Sequence, residues 1–70
     1  MIEMVKTGFD SKKNWLWEIY KDAKGNYRWR ATDSFLKVRK RSDGGFETEE
    51  ECIADSREYG MDGEYKEMTE

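Results

Sequence analysis

Trp15-Leu16-Trp17-Glu18-Ile19-Tyr20-Lys21, Asp22-Ala23-Lys24-Gly25 and Asn26-Tyr27-Arg28-Trp29-Arg30-Ala31-Thr32 are consecutive, and their reading decides the fold. The two flanks carry the aromatic and β-branched residues that suit strands. The four residues between them suit a type I turn in which Gly25 supplies the left-handed residue. Alternation places Trp15, Trp17, Ile19, Tyr27, Trp29 and Ala31 on one face, and Leu16, Glu18, Tyr20, Arg28 and Arg30 on the other. Pairing Trp17 with Trp29 and Glu18 with Arg28 satisfies both faces in one register, which predicts an antiparallel hairpin.

Toward the C-terminus, Asp33-Ser34 suits a tight turn, although Phe35 beside it is a poor turn residue. Leu36 to Arg41 reads as a third strand, with Leu36 and Val38 joining the aromatic face and Lys37, Arg39 and Arg41 on the opposite one. Ser42-Asp43-Gly44-Gly45 is a loop, and Phe46 is expected to tuck into the core. Thr48 begins a helix as its N-cap, with Glu51 completing a capping box and Glu49 to Glu51 at the positive end of the helix dipole. The helix runs to about Tyr59 and stops at Gly60. Its inward stripe is Cys52, Ile53, Ser56 and Tyr59. Beyond Gly63, the segment Glu64 to Met68 is a short final strand or a frayed tail. Residues 1–14 show no clean period and end in a polar run, so they are expected to form a flexible arm ahead of a single domain spanning 15–70. The predicted class is α+β: a three-stranded antiparallel meander, one helix packed on it, and a short C-terminal strand.

The first hairpin, the aromatic after Gly45 and the helix from Thr48 to Ile53 together resemble the YegP-like domain family, whose function is not established. The resemblance covers residues 15–60. Ser34-Phe35-Leu36 departs from that family's usual Asn-Gly turn. The resemblance implies a β-β-β-α unit followed by a strand exchanged with a second unit, and therefore a homodimer, with Glu64, Tyr65, Lys66, Glu67 and Met68 at its interface. It implies no functional residues.

Composition bears on assembly and on chemistry. The 70-residue chain is 36% apolar and 41% charged, with no histidine and one cysteine. Its apolar content is small for a domain of this length, and its ten aromatic rings offset the shortage. An intrachain disulfide and a structural zinc site both lack the necessary residues, so a partner subunit is the remaining staple. Two independent features agree with that homodimer. A three-stranded sheet leaves unpaired edges, and the charge is divided, with residues 1–42 carrying +6 and residues 43–70 carrying −9. The N-terminal sequence has no apolar run of the signal-peptide kind and nothing approaches the ~20 apolar residues of a membrane span, so a cytoplasmic location and no membrane partner are expected.

Catalysis finds no support in these residues. The commonest general base is absent, Cys52 has no histidine partner, and the run Glu49-Glu50-Glu51 is explained by capping. No cofactor or metal is expected, and the aromatic face reads as core rather than ligand pocket. The remaining feature is a basic sheet face of Arg28, Arg30, Lys37, Arg39 and Arg41 with Tyr20 among them. Two readings of it stand: single-stranded nucleic acid, with phosphates on the cations and a base on the ring, or neutralisation by the acidic C-terminal half, including Glu64, Glu67 and Glu70. The expected function is a non-enzymatic homodimeric binding or assembly module, with nucleic acid as the alternative partner.

Overall fold

The computed structural model describes residues 3–67. It contains β1 (Glu3–Asp10), β2 (Trp15–Lys21), β3 (Tyr27–Thr32), β4 (Val38–Arg41), α1 (Glu49–Glu58) and β5 (Lys66–Glu67). All strand pairs are antiparallel, in the order β4-β3-β2-β1-β5, and α1 covers one face of the sheet against β2 and β3. The class is α+β, as expected, but the sheet has five strands.

The β2–β3 hairpin forms with the expected faces and a different register. Ile19, not Trp17, lies opposite Trp29, and Glu18 lies opposite Arg30 rather than Arg28. The difference is a slip of two residues, which leaves every side chain on its face because the strand period is two. The turn sets the true register. Gly25 N–H donates to the Asp22 carbonyl at 3.0 Å, Asp22 N–H donates to the Asn26 carbonyl at 2.9 Å, and Gly25 has φ +86°. Trp17, Ile19, Trp29 and Ala31 are fully buried with Cys52, while Trp15 is only partly buried.

Residues 3–14, expected to belong to a flexible arm, are part of the sheet. Residues 3–10 form β1, which pairs with β2 along its length and is joined to it by residues 11–14, with Asn14 at φ 56°. A bulge between Met4 and Lys6 breaks the alternation there. Beyond it the pattern is inverted: Phe9 points away from the helix layer, and Gly8 lies beneath Met61 and Tyr65.

β4 starts later than expected and does not place Leu36 and Val38 in the core. Leu36 takes the left-handed conformation, φ 64°, at the end of a turn whose Asp33 Oδ1 accepts from the N–H groups of Phe35 and Lys37 at 2.9 and 3.0 Å. It is 86% exposed. Val38 pairs with Thr32 and Lys40 with Ala31, so Arg39 is the extra residue of a bulge. The bulge turns Val38 to the open face while Lys40 reaches the helix side, where its Nζ donates to the Tyr59 carbonyl at 3.0 Å.

The helix ends as its sequence suggests. Thr48 Oγ1 accepts from Glu51 N–H at 3.2 Å and donates to Glu51 Oε1 at 3.0 Å, so the acid returns to the cap's hydroxyl. At the other end Met61 N–H donates to the Ser56 carbonyl and Gly60 N–H to the Arg57 carbonyl, with Gly60 at φ +111°, a Schellman closure. Phe46 exchanges two backbone hydrogen bonds with Tyr27 and packs against the core. β5 pairs with β1 of its own chain, Thr7 opposite Lys66 and Lys6 opposite Glu67. Met68 and Glu70 lie outside the described residues.

Candidate functional site: the open sheet face

Helix α1 covers only one side of the sheet, so the other side is a broad surface built by the outward positions of β1 to β4. Register arranges it in rows. Phe9, Leu16, Thr32 and Val38 face one another in sequence across four strands. The next outward row is Thr7, Glu18, Arg30 and Arg41, and beyond it lie Met4, Tyr20 and Arg28. In the first row Phe9, Leu16 and Val38 remain 56, 39 and 49% exposed, which for large apolar groups in alignment makes a stripe rather than scattered contacts. Leu36, in the turn between β3 and β4, adjoins it beside Val38. Three shallow depressions of about 420, 380 and 420 Å³ run along this face; the first two share Arg30 and Val38, and the second adjoins the third at Leu16.

Arg28, Arg30 and Arg41 take outward positions of β3 and β4, whereas Lys37 precedes β4 and Arg39 is its bulge residue. Most of the five are already paired, and not by the acidic C-terminal half. Arg28 Nε donates to Asp22 Oδ2 at 2.7 Å, Arg30 Nε to Glu18 Oε1 at 3.0 Å, and Arg39 Nε to Asp33 Oδ2 at 2.9 Å. All three acids belong to residues 1–42. The acids of the C-terminal half pair elsewhere: Glu49 meets Lys6 at 3.2 Å and Asp62 meets Lys12 at 2.7 Å. Arg30 also lies over the Tyr20 ring, 5.3 Å from its centroid. Arg41 and Lys37 are exposed and have no ion pair among the described residues.

The turn carboxylates do two jobs. The Arg28 guanidinium, with the backbone amides of Asn26 and Lys24, holds the Asp22 carboxyl below its ordinary value of 3.8. Asp33 is lowered chiefly by the Lys37 and Phe35 amides and then by Arg39. A carboxyl whose folded pKa is depressed contributes stability above its unfolded pKa and loses it as pH falls through the folded value. The melting temperature is therefore expected to fall on acidification between about pH 5 and pH 1. Asp33→Asn should lower it at neutral pH and make the acid decline shallower. Parallel curves for the variant and the parent would show that Asp33 carries none of this dependence.

Burial pushes the Cys52 thiol up to about 12, so it is protonated at neutral pH. Tyr65 is likewise pushed up to about 12 by burial, and its O–H donates to Ser56 Oγ at 2.8 Å. Asp10, which the sequence offered only as part of a polar run, is buried. Its Oδ1 accepts from Lys12 N–H at 3.0 Å in the β1–β2 connection, and its Oδ2 has no hydrogen-bond partner among the described residues. No group of three or more metal-ligating side chains occurs among the described residues, and no helix there is long and apolar enough to cross a membrane.

The apolar row escapes a reading of the sequence because its members come from three separate segments, one taken as an arm and one assigned to the core. The available signal was Phe9 itself, two residues from Thr7 and four from Val5 in a run of strand-forming residues. Comparison with protein-family models, curated proteins and solved structures finds no match to this chain.

Proposed function

We propose that the protein is a non-enzymatic, homodimeric binding and assembly module that works through its open sheet face. The observation that carries this reading is the row of Phe9, Leu16 and Val38, uncovered and aligned across the sheet. Burial of such a row is the main source of association free energy, at roughly 25 cal/mol per Å² of apolar surface. The resemblance of residues 15–60 to the YegP-like domain supports two units building one assembly. The sheet edges favour the face over strand addition. β5 is two residues long, and β4 carries a bulge and the run Arg39-Lys40-Arg41, both features that blunt an edge.

Sedimentation across concentration tests the reading. The parent chain is expected to dimerise at micromolar concentration, and Leu16→Glu or Val38→Glu to shift it toward monomer without unfolding it, since both side chains are outside the core. Deleting residues 63–70 separates this interface from exchange of β5. A dimer lost on deletion but indifferent to both face variants would point to exchange through Glu64 to Met68 instead. The second reading, single-stranded nucleic acid on the basic part of the face, is favoured by the Arg30–Tyr20 stack. The carboxylates meet these arginines at Nε, which leaves the terminal nitrogens outside the ion pairs. Binding to an oligonucleotide that weakens with salt and with Arg41→Ala supports it.

A further inference from the structure

The open face is not symmetric across its width. The β1–β2 side carries Phe9, Leu16 and Glu18, and the β3–β4 side carries Val38, Arg30 and Arg41, with Arg39 and Lys40 at the β4 edge. A face-to-face pair related by a twofold axis has only two simple orientations, because the axis lies in the interface, either along the strands or across them. An axis across the strands keeps each strand over itself. That orientation sets β4 against its own copy and brings Arg41, which has no ion pair among the described residues, toward its counterpart, and like charges brought together oppose association.

An axis along the strands, passing between β2 and β3, exchanges the two sides. β4 then lies over the partner's β1, and β3 over the partner's β2. Phe9 meets the partner's Val38, Leu16 meets the partner's Thr32, and Glu18 comes over the partner's Arg30. The hairpin ends stay at the same end of the pair, so the exposed Phe35-Leu36 turn closes over the partner's Phe9 side. Glu64, beside Thr7 and Lys66 on the rim, reaches toward the partner's basic β4 edge. Aligned packing of two sheets is a standard arrangement for such faces. With principal extents of 31 × 28 × 20 Å, a broad side of this molecule is on the order of the ~800 Å² per partner of a specific interface.

Resting on the open-face reading above, we infer that a second copy of this chain covers the face with its twofold axis along the strands, so that Phe9 of each copy packs on Val38 of the other. Packed sheets stand ~10 Å apart, too far for a direct disulfide, so a short bis-maleimide is the suitable probe. The single native thiol, Cys52, is buried and protonated, which makes unmodified protein the blank.

Phe9→Cys and Val38→Cys are prepared separately and mixed at a concentration where the parent chain is dimeric. The expected result is a covalent dimer from the mixture, several-fold above that from either variant alone. Strong cross-linking of each variant to itself, with none gained on mixing, overturns the axis but leaves the open-face reading in place, provided Leu16→Glu still disrupts the dimer. No cross-link in any sample, with a dimer indifferent to Leu16→Glu, sinks both. A chain that stays monomeric at high micromolar concentration removes the second copy as occupant of the face.

Discussion

Trp29→Ala is expected to leave the chain largely unfolded at room temperature. The Trp29 indole is fully buried at the centre of β3 and lies opposite Ile19. Its ring centroid is 5.3 Å from those of both Trp17 and Tyr59, and its Nε1 donates to Asp55 Oδ2 at 2.8 Å, which joins sheet to helix. Removing it deletes the ring that joins Trp17 to Tyr59 and leaves Asp55 without that donor. Loss of a buried large aromatic costs about 3–5 kcal/mol. At ~0.05–0.15 kcal/mol per residue, a chain of this length has roughly 3.5–10 kcal/mol of stability, and so small a domain lies toward the lower end. Trp15→Ala should cost clearly less, because Trp15 is partly exposed and touches the cluster at its rim, 6.2 Å from Trp17 with Lys13 over its outer side. Chemical denaturation of both variants measures the difference. Equal losses would contradict the burial order of the three tryptophans.

Gly8→Val should be the second most damaging change, at a residue with no side chain to lose. Gly8 is an inward position of β1, and the space a side chain would fill is taken by the C-terminal segment. A Cβ there would lie 2.6 Å from Met61 Cε, 3.0 Å from the Glu64 carbonyl oxygen and 3.0 Å from Tyr65 Cδ1. The Met61 methyl can swing aside, but the Glu64 backbone and the Tyr65 ring, held by Ser56, have less freedom. Overpacking of this kind typically costs about 1–3 kcal/mol. The cost should fall locally, on the pairing of β5 with β1. Hydrogen exchange should quicken at residues 61–67 while β2 and β3 keep their protection, and Gly8→Ala should lie between the parent and Gly8→Val. Unchanged protection in that segment, with an unchanged melting temperature, would refute the account.

These two residues also show what the sequence makes readable. Trp29 is legible because β2, its turn and β3 are contiguous, and their alternation is unbroken for two full strands. Even there the period fixes only the face, and a two-residue slip in register passes unnoticed because it changes no face. Gly8 is illegible because its meaning comes from Met61 and Tyr65, more than fifty residues later. The bulges at Val5 and Arg39 add a second obstacle, since each breaks the period of two within a short strand. That is why β1 reads as an arm and why Val38 reads as core. The basic residues of the candidate face are plain in the sequence, whereas their partners are not. Asp22 and Asp33 look like turn formers, and they are, but the hairpin geometry that needs them also brings Arg28 and Arg39 to their second carboxylate oxygen.

The lone cysteine gives the molecule a built-in clock. Cys52 has no accessible surface, lies between α1 and the centre of the sheet, and is the only thiol in the chain. An alkylating reagent can consume it only after the helix has left the sheet, since the attacking species is a thiolate and burial suppresses both access and ionisation. When closing is fast, the labelling rate reports the fraction of molecules open. When reagent is abundant and reaction outruns closing, the rate becomes the opening rate itself. Dilution alone then distinguishes two histories of the same molecule, because a subunit that draws stability from association ticks faster as it becomes more dilute, while a self-sufficient one keeps the same time.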